Sequence, residues 1–159
     1  MLNQTTIMAI QTLVYIGRQR RPGPIPPGEI AEQLGASPAY LAKIHTQLAK
    51  ANILRSYRGT RGGVMLEQHP SSITLLQVVE ACQGVILGDY CQKHDKIEEV
   101  CAFHAAMHEL QAGLVSTLSK WTLADLLKKP FPAESLRGQV NCRMECACEG
   151  EKKGVHAEA

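Results

Sequence analysis

The chain has 159 residues, 45% of them hydrophobic but only 4% aromatic, and a formal net charge of +2. That is enough apolar material for one compact domain with an appendage, and its aromatic-poor character favours helices packed on helices over a β-rich fold. The apolar run from Ile7 to Gly17 is short, broken by Gln11 and Thr12, and followed rather than preceded by basic residues. A signal peptide is therefore not expected, nothing approaches membrane-spanning length, and a cytoplasmic location is expected. Thiols stay reduced there, so six cysteines point to metal or redox chemistry rather than a disulfide framework. The charge is unevenly spread. Between Met1 and Gly63 eight Lys/Arg stand against two acidic residues, and from Val64 onward nine stand against thirteen. A basic first half suits contact with a polyanion.

In chain order, the first predicted helix covers Gln4 to Arg18, with Ile7, Ile10, Val14 and Gly17 on one face. The connector RPGPIPPG (Arg21 to Gly28) forbids regular structure. A short helix follows from Glu29 to Leu34, directing Ile30, Ala31 and Leu34 inward, and Gly35 closes it in a tight turn. Ser37 before Pro38 marks a helix start, a capping hydroxyl with proline at the first helical position. This helix runs to about Lys50 and buries Leu41, Ile44 and Leu48, while Tyr40 and Lys43 lie on the opposite face. Helix, glycine turn, helix is the helix-turn-helix pattern.

Asn52 is the expected cap, ILRSYR reads as a strand, RGTRGG as a turn and VML as the returning strand. A hairpin with an Arg- and Gly-rich tip, directly after such a helix pair, reads as a wing. Arg58 and Arg61, with Thr60 between them, can enter a narrow minor groove or meet phosphates. Ser72 is the expected cap of a helix carrying Leu75, Val78, Val79 and Cys82, the last a buried small hydrophobe, and Gly84 closes it. After a polar loop, a long helix from about Val100 to Lys120 carries Phe103, Met107, Leu110, Leu114, Leu118 and Trp121. That narrow, heptad-like stripe suits pairing with a second copy, and packing on its own domain fits the pattern equally well. Thr122 and Asp125 open a last helix, LADLLKK, stopped by Pro130. The fold class is thus mainly α with a small β-hairpin wing, a winged helix-turn-helix followed by a long dimerisation helix. Residues 1–84 form the DNA-binding domain, 85–100 a sensor loop and 101–130 the dimerisation and final helices. Residues 131–159 form a polar tail, expected to be disordered, with Cys142, Cys146 and Cys148.

The segments EIAEQLGASPAYLAKI, RGTRGG and ITLLQVVEACQG, supported by CAFHAAMHEL and TLADLL, resemble the Rrf-two family of winged-helix repressors, with its IscR-like and NsrR-like branches. The resemblance spans roughly residues 4–129. It implies a cytoplasmic homodimer that represses transcription from double-stranded DNA. The two recognition helices would enter successive major grooves of a pseudo-palindromic operator and the wings the flanking minor grooves. On that match Ser37, Tyr40 and Lys43 occupy base- or phosphate-contacting positions, and Arg58 is the wing arginine. Two departures alter the expected specificity. Ala42 stands where IscR-like members carry glutamate, and Thr60, Arg61 and Val64 interrupt a wing that usually reads RGPGGGY.

Cluster-binding members of that family place three cysteines between the wing domain and the long helix, sometimes with a histidine after the third. Cys91 matches the first, and Cys101 with His104 the third and its histidine; the middle cysteine is absent and His94 is the nearest substitute. NsrR-like members contribute an aspartate from the first helix where this chain has Ile7. Thiolates and imidazoles spaced C-x-x-H, six residues, C-x-x-H can hold an iron–sulfur cluster or zinc. An iron–sulfur cluster that senses iron–sulfur, nitric oxide or redox status, a site for zinc, haem or thiol redox sensing, and a site that has lost its ligand all remain open. No phosphate loop or catalytic constellation accompanies these residues, so an enzyme is not expected. The competing function class is a metal- or thiol-handling protein on a winged-helix scaffold.

Overall fold

The computed structural model describes residues 2–19, 21–59, 62–86, 96–136 and 139–144. Six helices and one hairpin are found there: α1 (Gln4–Arg18), α2 (Pro27–Leu34), α3 (Pro38–Lys50), β1 (Leu54–Tyr57), β2 (Gly63–Leu66), α4 (Leu75–Gln83), α5 (Ala102–Lys120) and α6 (Leu123–Lys128). The mainly helical architecture with a small antiparallel hairpin agrees with the expected fold class.

Local chemistry accounts for most boundaries. Asn3 caps α1, its side chain accepting from the Thr6 amide at 2.8 Å. Gly35 takes a left-handed conformation (φ 60°) that glycine adopts most readily, and both its amide and that of Ala36 close on the last carbonyls of α2. Ser37 caps α3 with Pro38 at its first position, as expected. At the other end Ala51 is the cap, and Asn52, one residue on, supplies the left-handed turn (φ 54°). The α4 start differs from expectation. Pro70–Ser72 form a single 3-10 turn, Ile73 is fully buried, and Thr74 caps the helix in a reciprocal box with Gln77. Ser72 lies on the wrong side of Ile73: sinking that side chain into the core sets the helix start two residues later.

The connector is not wholly irregular either. Ile25, held extended between Pro24 and Pro26, exchanges both backbone hydrogen bonds with Val64 (3.0 and 2.9 Å) and is buried. Gly63 must be glycine at this crossing, because a Cβ there would sit 2.4 Å from the Ile25 carbonyl oxygen.

The core is one cluster drawn from α1, α2, α3, the hairpin, α4 and Leu123. On α1 the buried face is Thr6, Ala9, Ile10, Leu13, Val14 and Ile16, with the expected Ile7 only half-buried. Thr12 is also fully buried, its hydroxyl donating to the Met8 carbonyl at 2.8 Å. Arg18 stacks on Phe131 (4.3 Å to the ring centre), and Met144 packs against the core while Gln11 bonds the Arg143 carbonyl. Helix α5 stands apart. In its 19 residues no side chain is buried, and Phe103, Leu110 and Trp121 are exposed. No helix among the described residues is long and apolar enough to cross a membrane.

Candidate nucleic-acid interface

Helices α2 and α3 meet across the Gly35 turn, and α3 presents its outer face beside the hairpin. Its inner face buries Leu41, Ile44 and Leu48, as the periodicity predicts, and also His45. Between the outer face and β1–β2 lies an open groove of about 740 Å³. Ala42, His45, Thr46, Ala49 and Lys50 line it from α3, the largely buried His45 at its floor, and Ser56, Tyr57, Gly59, Gly62, Gly63 and Val64 from the hairpin. No carboxylate lines it among the described residues. The Lys50 ammonium and the Ser56 and Tyr57 hydroxyls offer donors to an anionic strand, whereas the Thr46 hydroxyl and the Gly62 amide already donate to the Ala42 and Gly59 carbonyls.

The fate of the basic residues sharpens this. Arg21 pairs with Glu29 at 2.5 Å, and that carboxylate also accepts from the Tyr15 hydroxyl at 2.8 Å. The hydrogen bond to Arg21 and then that to Tyr15 hold the Glu29 carboxyl below its ordinary range. Arg55 pairs with Glu67 across the hairpin. Lys43, Lys50 and Arg58 are exposed and enter no ion pair among the described residues. All three lie on α3 or at the start of the hairpin tip, so this face carries three uncompensated cations; the other exposed cations without an ion pair among the described residues include Lys120, Lys129 and Arg143, after the winged-helix region.

Of the residues expected to meet DNA, Ser37 is exposed, its oxygen accepting from the Tyr40 amide at 3.3 Å, which leaves its proton to donate outward. Lys43 and Arg58 are exposed. Tyr40 is half-buried against the core, and its hydroxyl donates to Thr5 Oγ1 on α1 at 3.2 Å, so it ties α3 to α1 rather than lying on the face opposite Leu41, Ile44 and Leu48 as expected. Thr60 and Arg61 lie outside the described residues. Sequence periodicity missed Thr46, Lys50, Ser56 and Tyr57, which border the groove. Lys50 and Thr46 carried a signal, one helical turn apart on the face opposite Ile44 and Leu48, whereas Ser56 and Tyr57 gave none.

His45 is 5% exposed with its Nε2 buried and unpartnered among the described residues; burial pulls its pKa below the ordinary imidazole value. Cys82 is buried as expected, and burial pushes its thiol up to about 11, too high for a thiolate nucleophile.

The proposed ligands divide between described and undescribed residues. Cys101 is exposed as the N-cap residue of α5, and His104 follows one turn on, half-buried, with Nδ1 lacking a partner among the described residues. Cys91 and His94 lie outside the described residues. No group of three metal-ligating side chains occurs among the described residues. Cys101 and His104 share the first turn of one helix, and the orphaned imidazole nitrogen fits a ligand role; two donors alone do not fill the coordination of a cluster.

The family model for Rrf2, an iron-dependent transcriptional regulator, matches residues 2–129. The HTH-type transcriptional regulator IscR of Klebsiella pneumoniae strain 342 is 28% identical over 121 residues, spanning 75% of this chain and 74% of that protein. Its counterpart from Escherichia coli K12 / DH10B has the same identity over 75% of each chain. Among solved structures, IscR of T. potens superposes with a TM-score of 0.67 at 24% identity, covering 84% of this chain and 90% of the other. CymR, the global cysteine regulator of B. subtilis, superposes with 0.66 at 21% identity, covering 80% and 96%. At these identities the structural likenesses speak to the fold.

Proposed function

Because the chain belongs to the Rrf2 family of transcriptional regulators, we propose that it is a homodimeric repressor that reads a pseudo-palindromic duplex with α3 and grips the flanking backbone with its hairpin. The observation that carries this reading is the groove between α3 and β1–β2, which no carboxylate lines among the described residues, with Lys43, Lys50 and Arg58 around it in no ion pair among those residues. In this reading Ser37, Tyr40 and Lys43 face base edges or phosphates, and Arg58, Thr60 and Arg61 form the wing contact. The groove seats the phosphodiester strand that separates the major groove under α3 from the minor groove under the wing. Ala42, which lines the groove, leaves room there and brings no charge.

Dimerisation through α5 is supported by its exposed Phe103, Leu110 and Trp121 and its lack of any buried residue. An amphipathic helix of this length is stable in water when its apolar stripe is covered. The four segments expected from sequence (residues 1–84, 85–100, 101–130 and 131–159) serve as DNA-binding, sensing, dimerising and tail units.

The signal proposed is iron–sulfur, nitric oxide or redox status, with Cys91, Cys101 and His104 as ligands and His94 or a tail cysteine completing the set. A bound cluster would supply a redox-labile, charged anchor. What the chain supplies is Cys101 at the head of α5, so that ligation and the position of α5 change together.

Two measurements test the reading. Duplexes selected from random sequence by the full chain should share a two-fold pattern. Arg58→Ala should then lower the salt dependence of binding by about one unit of slope; an unchanged slope and affinity would remove the wing from the interface. Iron and acid-labile sulfide per subunit, compared in anaerobic wild type, Cys91→Ala, Cys101→Ala and a chain ending at Phe131, test the ligand set. Equal content in all four, or none in wild type, ends it.

A further inference from the structure

Among the described residues, α5 meets the rest of the protein principally through α4, which also packs on α1 and α3. The last turn of α4 is where these contacts become hydrogen bonds. Gln111 of α5 donates from Nε2 to the Ile86 carbonyl at 3.2 Å, just past the Gly84 cap. Gln83 Oε1 accepts from the Asn3 amide at 3.3 Å and lies 3.0 Å from the Thr6 hydroxyl. That hydroxyl is fully buried and shares its proton with Asn3 Oδ1, also at 3.0 Å. Next to it, Thr5 receives the Tyr40 hydroxyl from α3. On the other side of the turn, the Cys82 carbonyl is one of the terminal carbonyls that a helix leaves unpaired, and Gln47 Nε2 of α3 donates to it at 3.4 Å. Gln47 Oε1 is buried without a partner among the described residues, so the bond to Cys82 is what orients its carboxamide.

One helical turn thus holds the start of α1 through Gln83, the middle of α3 through Gln47, and α5 through the backbone two residues beyond its cap. Apolar packing tolerates sliding; hydrogen bonds between fixed donors and acceptors select one arrangement. We propose that Gln83 and Gln47 are positioning residues for DNA binding, which tie α3 to the turn of α4 that α5 grips through Gln111, so that a shift of α5 alters how α3 meets the duplex. The proposal rests on α3 being the recognition helix. It adds the route by which any event at the head of α5 reaches that helix, whatever ligand causes it. The Gln47 branch uses only side chains with no part in contacting DNA or metal, whereas the Gln83 branch reaches α3 through Thr5 and Tyr40.

The test is a double-mutant cycle on the full chain, with a duplex selected in vitro by the wild type and a random duplex of equal length. Gln111→Met should change affinity for the selected duplex on the order of fivefold, the lower end of typical allosteric couplings, and leave the random duplex alone. In a Gln83→Met background the same substitution should have no further effect, and Gln83→Glu, which keeps the acceptor, should restore it. Gln47→Met should likewise blunt the Gln111→Met response. Additive effects, or a Gln111→Met protein of unchanged affinity, would overturn the proposal. Parallel loss of thermal stability and of affinity for both duplexes would overturn it too, because that is what a merely structural role produces. If the wild type selects no duplex over random sequence, the recognition-helix reading fails first and this one with it.

Discussion

Helices α3 and α5 both carry apolar residues at helical spacing, yet the single chain treats them differently. In α3, 13 residues long, Leu41, Ile44, His45 and Leu48 are buried under α1, α2, α4 and β1. In α5, 19 residues long, nothing is buried. The winged-helix region forms one core, completed by Leu123 of α6, and α5 leaves an apolar surface that water covers poorly. A periodic stripe therefore states that a helix has a partner, and only the neighbouring elements decide whether the partner lies in the same chain. The difference also divides the labour proposed above, with a rigid domain to read DNA and a helix whose placement depends on assembly and on what binds at its head.

The comparison breaks most readily at Leu110, 49% exposed in the single chain. If α5 pairs with its copy, Leu110→Asp places two carboxylates in one seam, each costing about 2 kcal/mol or more when unpaired. Dimer association should weaken by roughly 1,000-fold, with near-wild-type helical circular dichroism from the winged-helix region. Light scattering that still finds a stable dimer at micromolar concentration would move the interface off α5.

Truncation of the two stripes sharpens the same contrast. Leu48 is fully buried, so Leu48→Ala should cost about 3 kcal/mol in urea unfolding, independent of protein concentration. Leu118 on α5 is only half-buried, and Leu118→Ala should lower stability in a manner that depends on concentration. Equal, concentration-independent losses would show that α5 is covered within its own chain.

What could be read in the residues follows the range of the interaction that decides each feature. The Gly35 turn, the Ser37–Pro38 start and the Thr122–Asp125 box were legible, because caps are settled by residues within one turn. The burial of His45 was not, since an imidazole beside Ile44 reads as the polar edge of a stripe. Only the packing of the surrounding elements encloses it. Nor could the Tyr40–Thr5 bond be foreseen across 35 residues, and it turns an expected DNA contact partly into an internal tie. Family resemblance supplied Cys101 and His104, which no periodicity distinguishes from other residues at the head of a helix.

His45 gives that lesson a measurable form. Burial lowers its folded pKa, while the unfolded chain takes up a proton at the ordinary value near 6.5. The folded state therefore binds fewer protons, so this contribution is complete above pH 6.5 and is lost as pH falls below it. The limiting slope is about 1.4 kcal/mol per pH unit for one group. His45→Leu should remove that acid sensitivity and, by deleting the orphaned Nε2, leave neutral-pH stability equal or higher. An unchanged pH profile in urea midpoints would mean that the imidazole is solvated after all.

The smallest effect tests where the two regions join. Thr74 and Thr122 form an isolated bridge at that junction: the Leu75 amide donates to the Trp121 carbonyl at 2.9 Å and the Leu123 amide to the Ile73 carbonyl at 2.8 Å. Each threonine also caps its helix. Thr74 Oγ1 accepts from the Gln77 amide at 3.2 Å and Gln77 Oε1 from the Thr74 amide at 2.9 Å, while Thr122 and Asp125 make the equivalent pair. Thr74→Ala should therefore cost about 1 kcal/mol, the usual value of a lost cap. Ser72→Ala should cost almost nothing, because Ser72 ends a 3-10 turn before the buried Ile73 and caps no α-helix. Thr122→Ala should cost a similar 1 kcal/mol. Because the two caps sit on strands of one bridge, the double variant should lose less than the two single losses together: once one helix end frays, the bridge no longer holds the other. Thermal melts of the four proteins decide it. Equal losses for Ser72→Ala and Thr74→Ala would return the α4 start to the position that the sequence favours, and strict additivity would mean that the winged-helix and long-helix regions meet at this bridge without sharing stability.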